Sequence, residues 1–189
     1  MRLALFAPLA LCGLFAATAA RAEVDESLDY LYYDVYHQRG QLLHKAITRA
    51  STVSKGKGYH GFTEWKVRWN FRWNSDRSGR CHISSVNVVA EGTITLPALH
   101  TDDARAQQNF DRYIEALETH ELGHFRFAQD AAAAIEIAIG DMGERASCAR
   151  LEADANALGH AILAEAIRDE KDYDLRTDHG KTQGARISG

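Results

Sequence analysis

The fold prediction starts from one stretch of the sequence, which places a metal-binding motif inside a long helical pattern. It reads Glu118-Thr119-His120-Glu121-Leu122-Gly123-His124-Phe125-Arg126-Phe127. On a helix, His120 and His124 are four residues apart, so their rings project from one face and can bind one metal ion. Glu121 can then reach a water molecule at that ion without being a ligand. The motif predicts a zinc (Zn2+) site with Glu121 as general base.

The residues around the motif continue the helix. Apolar and small residues recur there at helical spacing: Phe110, Tyr113, Ile114, Leu117, Ala128, Ala131, Ile135 and Ile139. This stripe passes into Glu121 and His124, so polar groups interrupt a face that should be core. Burying such groups without partners costs roughly 2–7 kcal/mol each. A bound zinc ion would remove that conflict.

Length and composition indicate one folded domain behind an export signal. The 189 residues are 46% hydrophobic and 25% charged, which is ordinary for a globular domain. Residues 1–22 read as a signal peptide, with Arg2, an apolar run and the cleavage site Ala20-Arg21-Ala22. An uncut membrane anchor is the alternative. We expect residues 23–189 to form a periplasmic or secreted domain with a flexible C-terminal end and no membrane insertion after cleavage.

Charge and cysteine content limit the function further. Cleavage removes two arginines and no acids, so the formal charge moves from −4 to −6. No basic cluster indicates nucleic-acid binding. The mature chain keeps Cys81 and Cys148, which we expect to form a disulfide in an oxidising compartment. Two cysteine zinc ligands would need a pattern such as C-x-x-C, and the sequence has none.

The rest of the chain predicts an α+β fold. The expected elements are a strand (28–36), a helix (38–50), a loop (51–61), an alternating strand (62–73), a β region (81–96), two long helices (102–139 and 144–171) and a polar tail (172–189). Glu91-Gly92 predicts a bulge or kink, and Pro97 the end of the β region. We therefore expect a small antiparallel or mixed sheet packed against the motif helix and a second long C-terminal helix.

The third zinc ligand must come from outside the motif, because a catalytic zinc usually has three protein ligands and one water. Asp130 stands where an extended motif would place a third histidine. We prefer His179, which lies in a polar turn with hydrogen-bonding neighbours for its second ring nitrogen. Glu144 is the alternative, although the helix dipole already favours an acid at a helix start. Tyr173 could donate its hydroxyl to a developing oxyanion.

The histidines that precede the motif occur singly and without pattern. We interpret them as ordinary surface or loop residues: His37, His44, His60, His82 and His100.

Several segments spread over nearly all of the mature chain form a particular combination. They are His60-Gly61-Phe62-Thr63-Glu64-Trp65, the strand Trp65-x-Val67-x-Trp69, Cys81, the motif at 120–124, and Tyr173-Asp174-x-x-Thr177-x-His179-Gly180. The combination resembles the bacterial DUF922 family, predicted secreted zinc-dependent proteases of unknown substrate. The resemblance implies a zincin-like enzyme outside the cytoplasm.

Two functions from different classes remain open at this point. The first is a secreted or periplasmic zinc metallopeptidase that hydrolyses peptide bonds in a peptide or protein, with a cell-wall peptide as a variant substrate. The second is a non-catalytic cell-envelope protein with a structural zinc site. Glu121 favours the enzyme, because a structural site fills its fourth position with protein and has no use for a carboxylate beside a water.

Overall fold

The architecture is α+β, as seen in a computed structural model that describes residues 24–55 and 58–187. In chain order the elements are β1 (Asp25–Tyr36), α1 (Leu43–Lys55), β2 (Phe62–Ser75), β3 (Cys81–His100), α2 (Ala104–Gly140), α3 (Cys148–Thr177) and a 3-10 turn (Lys181–Gln183). The signal peptide expected at 1–22 lies outside the described residues, as do residues 188–189 of the tail.

The three strands form one mixed sheet in the order β1-β3-β2. Strand β3 lies in the centre, parallel to β1 and antiparallel to β2. Its alternate residues Val86, Val88 and Ala90 are buried, as the period of a strand requires for one core-facing side. The predicted small mixed sheet with two long helices is confirmed.

Strand β3 differs from the prediction at both of its marked positions. It continues through Pro97 to His100. Strand β2 reaches only to Thr95 of β3, so a residue without a backbone N–H is tolerated at Pro97, where β3 has one neighbour. The irregular register falls between Arg72 and Trp73, not at Glu91-Gly92. Gly92 serves a different purpose, since a Cβ there would overlap the ring of Phe125.

Helix α2 carries the motif and forms the floor of the site. The carboxylate of Asp103 caps its start by accepting from the backbone N–H groups of Arg105 and Ala106. Its buried face combines apolar residues such as Phe125 and Ile135 with His120, Glu121 and His124. The core lies between this face and the sheet, in two clusters of apolar residues on either side of the motif.

Helix α3 begins four residues later and ends six residues later than predicted. Residues 172–177 contain no glycine or proline, and the helix ends only where Asp178, His179 and Gly180 adopt left-handed conformations with φ of 47°, 51° and 82°. Asp174 consequently lies on the helix and not in a tail. Among the described residues, no helix has the length and apolarity needed to cross a membrane.

The predicted disulfide is present. Cys81 at the start of β3 is bonded to Cys148 at the start of α3, across 67 residues of sequence. Closing a loop of this length stabilises the fold by about 4 kcal/mol through the entropy of the unfolded chain. The bond fastens the sheet to α3 at the end of α3 that lies farthest along the chain from Asp174.

Candidate metal centre

Three side chains from α2 and α3 meet at one point. The Nε2 atoms of His120 and His124 and the Oδ1 atom of Asp174 are each 3.2 Å from the other two. Ligand atoms about 2.0–2.1 Å from a tetrahedral zinc ion are roughly 3.3–3.4 Å apart. These three residues form a group that could hold a metal ion, and their spacing fits zinc.

The second nitrogen of each imidazole faces an oxygen that can accept a hydrogen bond. Nδ1 of His124 is 3.1 Å from Oε1 of Glu170, and that oxygen also accepts from the Trp65 indole at 2.7 Å. Nδ1 of His120 is 2.9 Å from Oε1 of Gln183. We therefore assign the ring protons to Nδ1 in both histidines. Both Nε2 lone pairs then point at each other and at a carboxylate, an arrangement that a bound cation would stabilise.

The orientation of Gln183 is fixed by Tyr173. The Gln183 amide donates to the Tyr173 hydroxyl at 2.9 Å, and that hydroxyl lies 3.3 Å from the backbone carbonyl of His120. The Tyr173 ring also stacks on the His120 ring, with 5.1 Å between the ring centroids. Such outer partners hold a ligating imidazole in one tautomer and one orientation.

The acids around the histidines attract positive charge to the cluster. Burial lowers the pKa of His120, although Gln183 and Asp174 oppose the effect. Burial acts in the same direction on His124, but the hydrogen bond to Glu170 and the nearby carboxylates outweigh it and raise the pKa of His124. Without a metal, the cluster would thus draw a proton to His124.

Glu121 is a buried carboxylic acid beside this cluster. It is 4% exposed, and burial raises the pKa of its carboxyl to about 7, with Thr63 and His124 opposing and Asp174 and Glu170 adding to the rise. The Thr63 hydroxyl donates to Oε2 at 2.7 Å. Gly61 packs directly on the carboxylate, where a Cβ would overlap Oε1. A pKa near neutrality suits a general base that operates near pH 7.

A cleft of about 930 Å³ opens over these residues. Helix α2 forms its floor with His120, Glu121 and His124. Residues 58–63, the end of α3 and residues of the 179–187 segment also line it. The cluster and Glu121 therefore lie in a cleft that a second molecule could enter.

The predicted site residues are only partly brought together. His120, His124 and Glu121 lie as expected, but the third member of the cluster is Asp174. His179 lines the cleft with its side chain 48% exposed, and its Nδ1 is 3.4 Å from Oδ1 of Asp174. Its role as a ligand stays a prediction, while the geometry favours Asp174.

Tyr173 and Glu144, the other two candidates, lie away from the open part of the site. The Tyr173 hydroxyl contacts the α2 backbone, in the space left by Gly123. Its oxyanion role stays a prediction without support from this position. Glu144 is exposed and forms a salt bridge to Arg80 at 2.8 Å. That pairing, together with its place before α3, explains Glu144 as a surface residue.

Two of the histidines interpreted as surface or loop residues lie outside the helices and strands, as expected, but are not exposed. His37 is 6% exposed and hydrogen-bonded through both ring nitrogens. His60 lines the cleft and is also bonded through both nitrogens. Each of these histidines occurs singly in the sequence, so no pattern there predicts that it is buried.

Sequence reasoning missed Asp174 as a candidate ligand and the neighbouring groups Glu170, Gln183 and Thr63. A signal for the first two existed. Glu170 and Asp174 are four apart, like the motif histidines, but the expected helix ended at Lys171 and so hid the pairing. Gln183 and Thr63 depend on contacts between distant segments, which no local pattern shows.

No curated protein and no solved structure matches the chain. The zincin-like relationship therefore stays a prediction. Residues 30–180 match a family described as bacterial protein of unknown function, DUF922. This range includes the motif, Thr63, Glu170 and Asp174, and leaves Gln183 outside. Because the match covers most of the sequence, the chain belongs to the DUF922 family.

Proposed function

We propose that this protein is a zinc-dependent metallopeptidase that acts in the periplasm or outside the cell and hydrolyses peptide bonds. One observation supports it above the others. Two imidazole lone pairs and a carboxylate converge at 3.2 Å beside a buried Glu121, at the floor of an open cleft. A metal ion would satisfy the first group, and a proton-transfer role would account for the second.

His120, His124 and Asp174 would hold the ion. Zinc bound by three protein side chains supplies a Lewis acid and lowers the pKa of a coordinated water to about 7. Glu121 would take a proton from the attacking water and return it to the leaving amine. Thr63 and Gly61 would keep the Glu121 carboxylate in place, and the buried position would keep bulk water away from it.

The substrate class is a peptide or protein, with a cell-wall peptide as one form. A cleft of about 930 Å³ has the size of a site for several residues of an extended chain.

A second candidate is a non-catalytic envelope protein with a structural zinc. One contact favours it: Nδ1 of His179 is 3.4 Å from Oδ1 of Asp174. A rotation of that side chain would bring a fourth protein ligand towards the cluster and close the site. A structural zinc site would not account for the burial of the Glu121 carboxylate.

The test combines metal analysis with hydrolysis. Two histidines and a carboxylate also bind iron(II) in some enzymes, so both metals should be measured in protein purified without added metal. We expect about one zinc per chain and cleavage of a quenched fluorescent peptide library. Glu121→Gln should retain zinc and lose cleavage. Full activity in Glu121→Gln would reject the proposed mechanism, and four protein ligands in a zinc-bound crystal structure would favour the structural candidate.

A further inference from the structure

His60 is held by hydrogen bonds to three different elements of the fold. Its Nδ1 is 2.6 Å from the hydroxyl of Tyr113 on α2. Its Nε2 is 2.8 Å from Oγ1 of Thr48 on α1. Its backbone carbonyl accepts from the hydroxyl of Tyr33 on β1 at 2.8 Å. These three contacts anchor the segment that His60 begins.

The hydrogen-bond directions at the ring follow from its neighbours. The Thr48 hydroxyl donates to the carbonyl of His44 at 2.9 Å, the usual pattern for a threonine inside a helix. It therefore accepts from Nε2–H of His60, and Nδ1 accepts from the Tyr113 hydroxyl. Burial, with a smaller contribution from His44, lowers the pKa of His60 and keeps the ring neutral, as these directions require.

The residues that follow His60 are those that hold Glu121. Gly61 packs against Oε1 so closely that no Cβ fits between them. Thr63 donates to Oε2 at 2.7 Å and lies 3.1 Å from the Glu121 carbonyl. The segment 60–63 thus touches the carboxylate on two sides, and its distance from α2 is fixed at its first residue.

We propose that His60 is a positioning residue for Glu121. It holds the segment 60–63 against α1, α2 and β1, so that Gly61 and Thr63 keep the Glu121 carboxylate in one orientation. The catalytic part of this inference rests on the proposed function, in which Glu121 is the base. The anchoring part rests on the contacts alone.

His37 provides a matched control. Its ring is also bonded at both nitrogens, to Oγ1 of Thr101 at 3.0 Å and to the carbonyl of Gln41 at 3.1 Å. It does not line the cleft. Replacing either histidine removes two ring hydrogen bonds, but only the His60 change releases the segment that contacts Glu121.

The experiment compares His60→Ala with His37→Ala in zinc-loaded protein. For His60→Ala we expect amide hydrogen exchange at residues 59–62 to rise at least about tenfold. We expect kcat on a cleaved fluorescent peptide to fall about 10- to 100-fold, with KM and zinc affinity changed less than about threefold. His37→Ala should lower Tm without any of these changes. His60→Asn, which keeps an acceptor near the Nδ1 position, should recover part of kcat.

Two results would overturn the inference: unchanged exchange at 59–62 in His60→Ala, or equal loss of kcat in both alanine variants. If His60→Ala fails to fold, Tyr113→Phe removes only the hydroxyl partner of Nδ1 and serves the same comparison. If the wild-type protein cleaves no peptide, the proposed function fails, while the exchange measurement still decides whether His60 anchors the segment.

Discussion

Glu170 and Asp174 contact the same imidazole from its two sides. Oε1 of Glu170 is 3.1 Å from Nδ1 of His124, and Oδ1 of Asp174 is 3.2 Å from Nε2. The two acids are four residues apart on α3, as His120 and His124 are on α2. Glu170 accepts a hydrogen bond from the ring N–H, and Asp174 offers a candidate ligand atom. The packing of α2 against α3 therefore sets the geometry of the candidate metal site.

Asp174→Asn and His179→Ala separate the two assignments of the third ligand. Removing an outer partner of a ligand costs about 10- to 100-fold in metal affinity, and removing an anionic ligand should cost more. We expect Asp174→Asn to weaken zinc binding by more than about 100-fold and His179→Ala by less than about threefold. Competition with a chelator of known affinity measures both. The opposite order would restore His179 as the third ligand.

Gln183→Ala should weaken zinc binding by about 10- to 100-fold, because His120 loses the acceptor that fixes its tautomer. Tyr173→Phe should cause a smaller loss, since the stacked ring remains and only the hydroxyl that orients Gln183 is removed. Gln129→Ala is the matched control: its amide donates to Glu26 at 2.6 Å, outside the cluster. The same chelator titration applies. Equal affinities in Gln183→Ala and Gln129→Ala would contradict the role of Gln183.

Glu121→Gln should stabilise the metal-free protein at neutral and higher pH. The pKa of Glu121 is raised from 4.5 to about 7 by burial, so the folded state binds more protons than the unfolded state between these values. Wild-type stability should fall as the pH rises through this window, by up to about 3 kcal/mol in total. The variant should not show this fall.

Urea unfolding of chelator-treated protein between pH 5 and pH 8 measures the difference. The gain of Glu121→Gln over wild type should grow with pH and level off above about pH 7. A variant that is less stable than wild type at pH 8 would show that ionisation of the buried carboxylate does not destabilise the fold. A gain would mark Glu121 as a residue kept for activity at the expense of stability.

Removing the disulfide should destabilise the fold and spare the site. The double variant Cys81→Ala/Cys148→Ala should lose about 4 kcal/mol of unfolding free energy. Its zinc affinity should stay within about threefold of wild type, because 26 residues of α3, or roughly 39 Å, separate Cys148 from Asp174. Denaturant unfolding and chelator titration check the two parts. A large drop in zinc affinity would show that the disulfide also sets the position of the end of α3.

The sequence predicted the elements better than their ends. Periodicity identified β1, β2, β3, α2 and α3, because each presents an apolar face at a regular interval. Helix α1 begins and ends five residues later than expected, following Gly40 with its φ of 88°. The end of α3 was set too early, although residues 172–177 contain no glycine or proline that would end a helix. That one boundary kept Asp174 out of the candidate ligands.

Only those residues of the candidate site that are close together in sequence were predictable. His120, Glu121 and His124 follow from one helical turn and its chemistry. Thr63 contacts Glu121 across 58 residues of sequence, and Gly61 contacts it from the same segment, through packing that forms only when β2 lies beside α2. Residues that meet only through tertiary packing have no regular spacing in the sequence from which their contact could be predicted.

Three side chains of the candidate site pack directly against glycines. A Cβ at Gly61 would overlap Glu121, one at Gly123 would overlap the Tyr173 hydroxyl, and one at Gly180 would lie 2.9 Å from the His120 ring. An added methyl group would displace a different member of the site in each case. A mutational scan would therefore find two kinds of sensitive position at this centre, those that fail when a group is removed and those that fail when a single carbon is added.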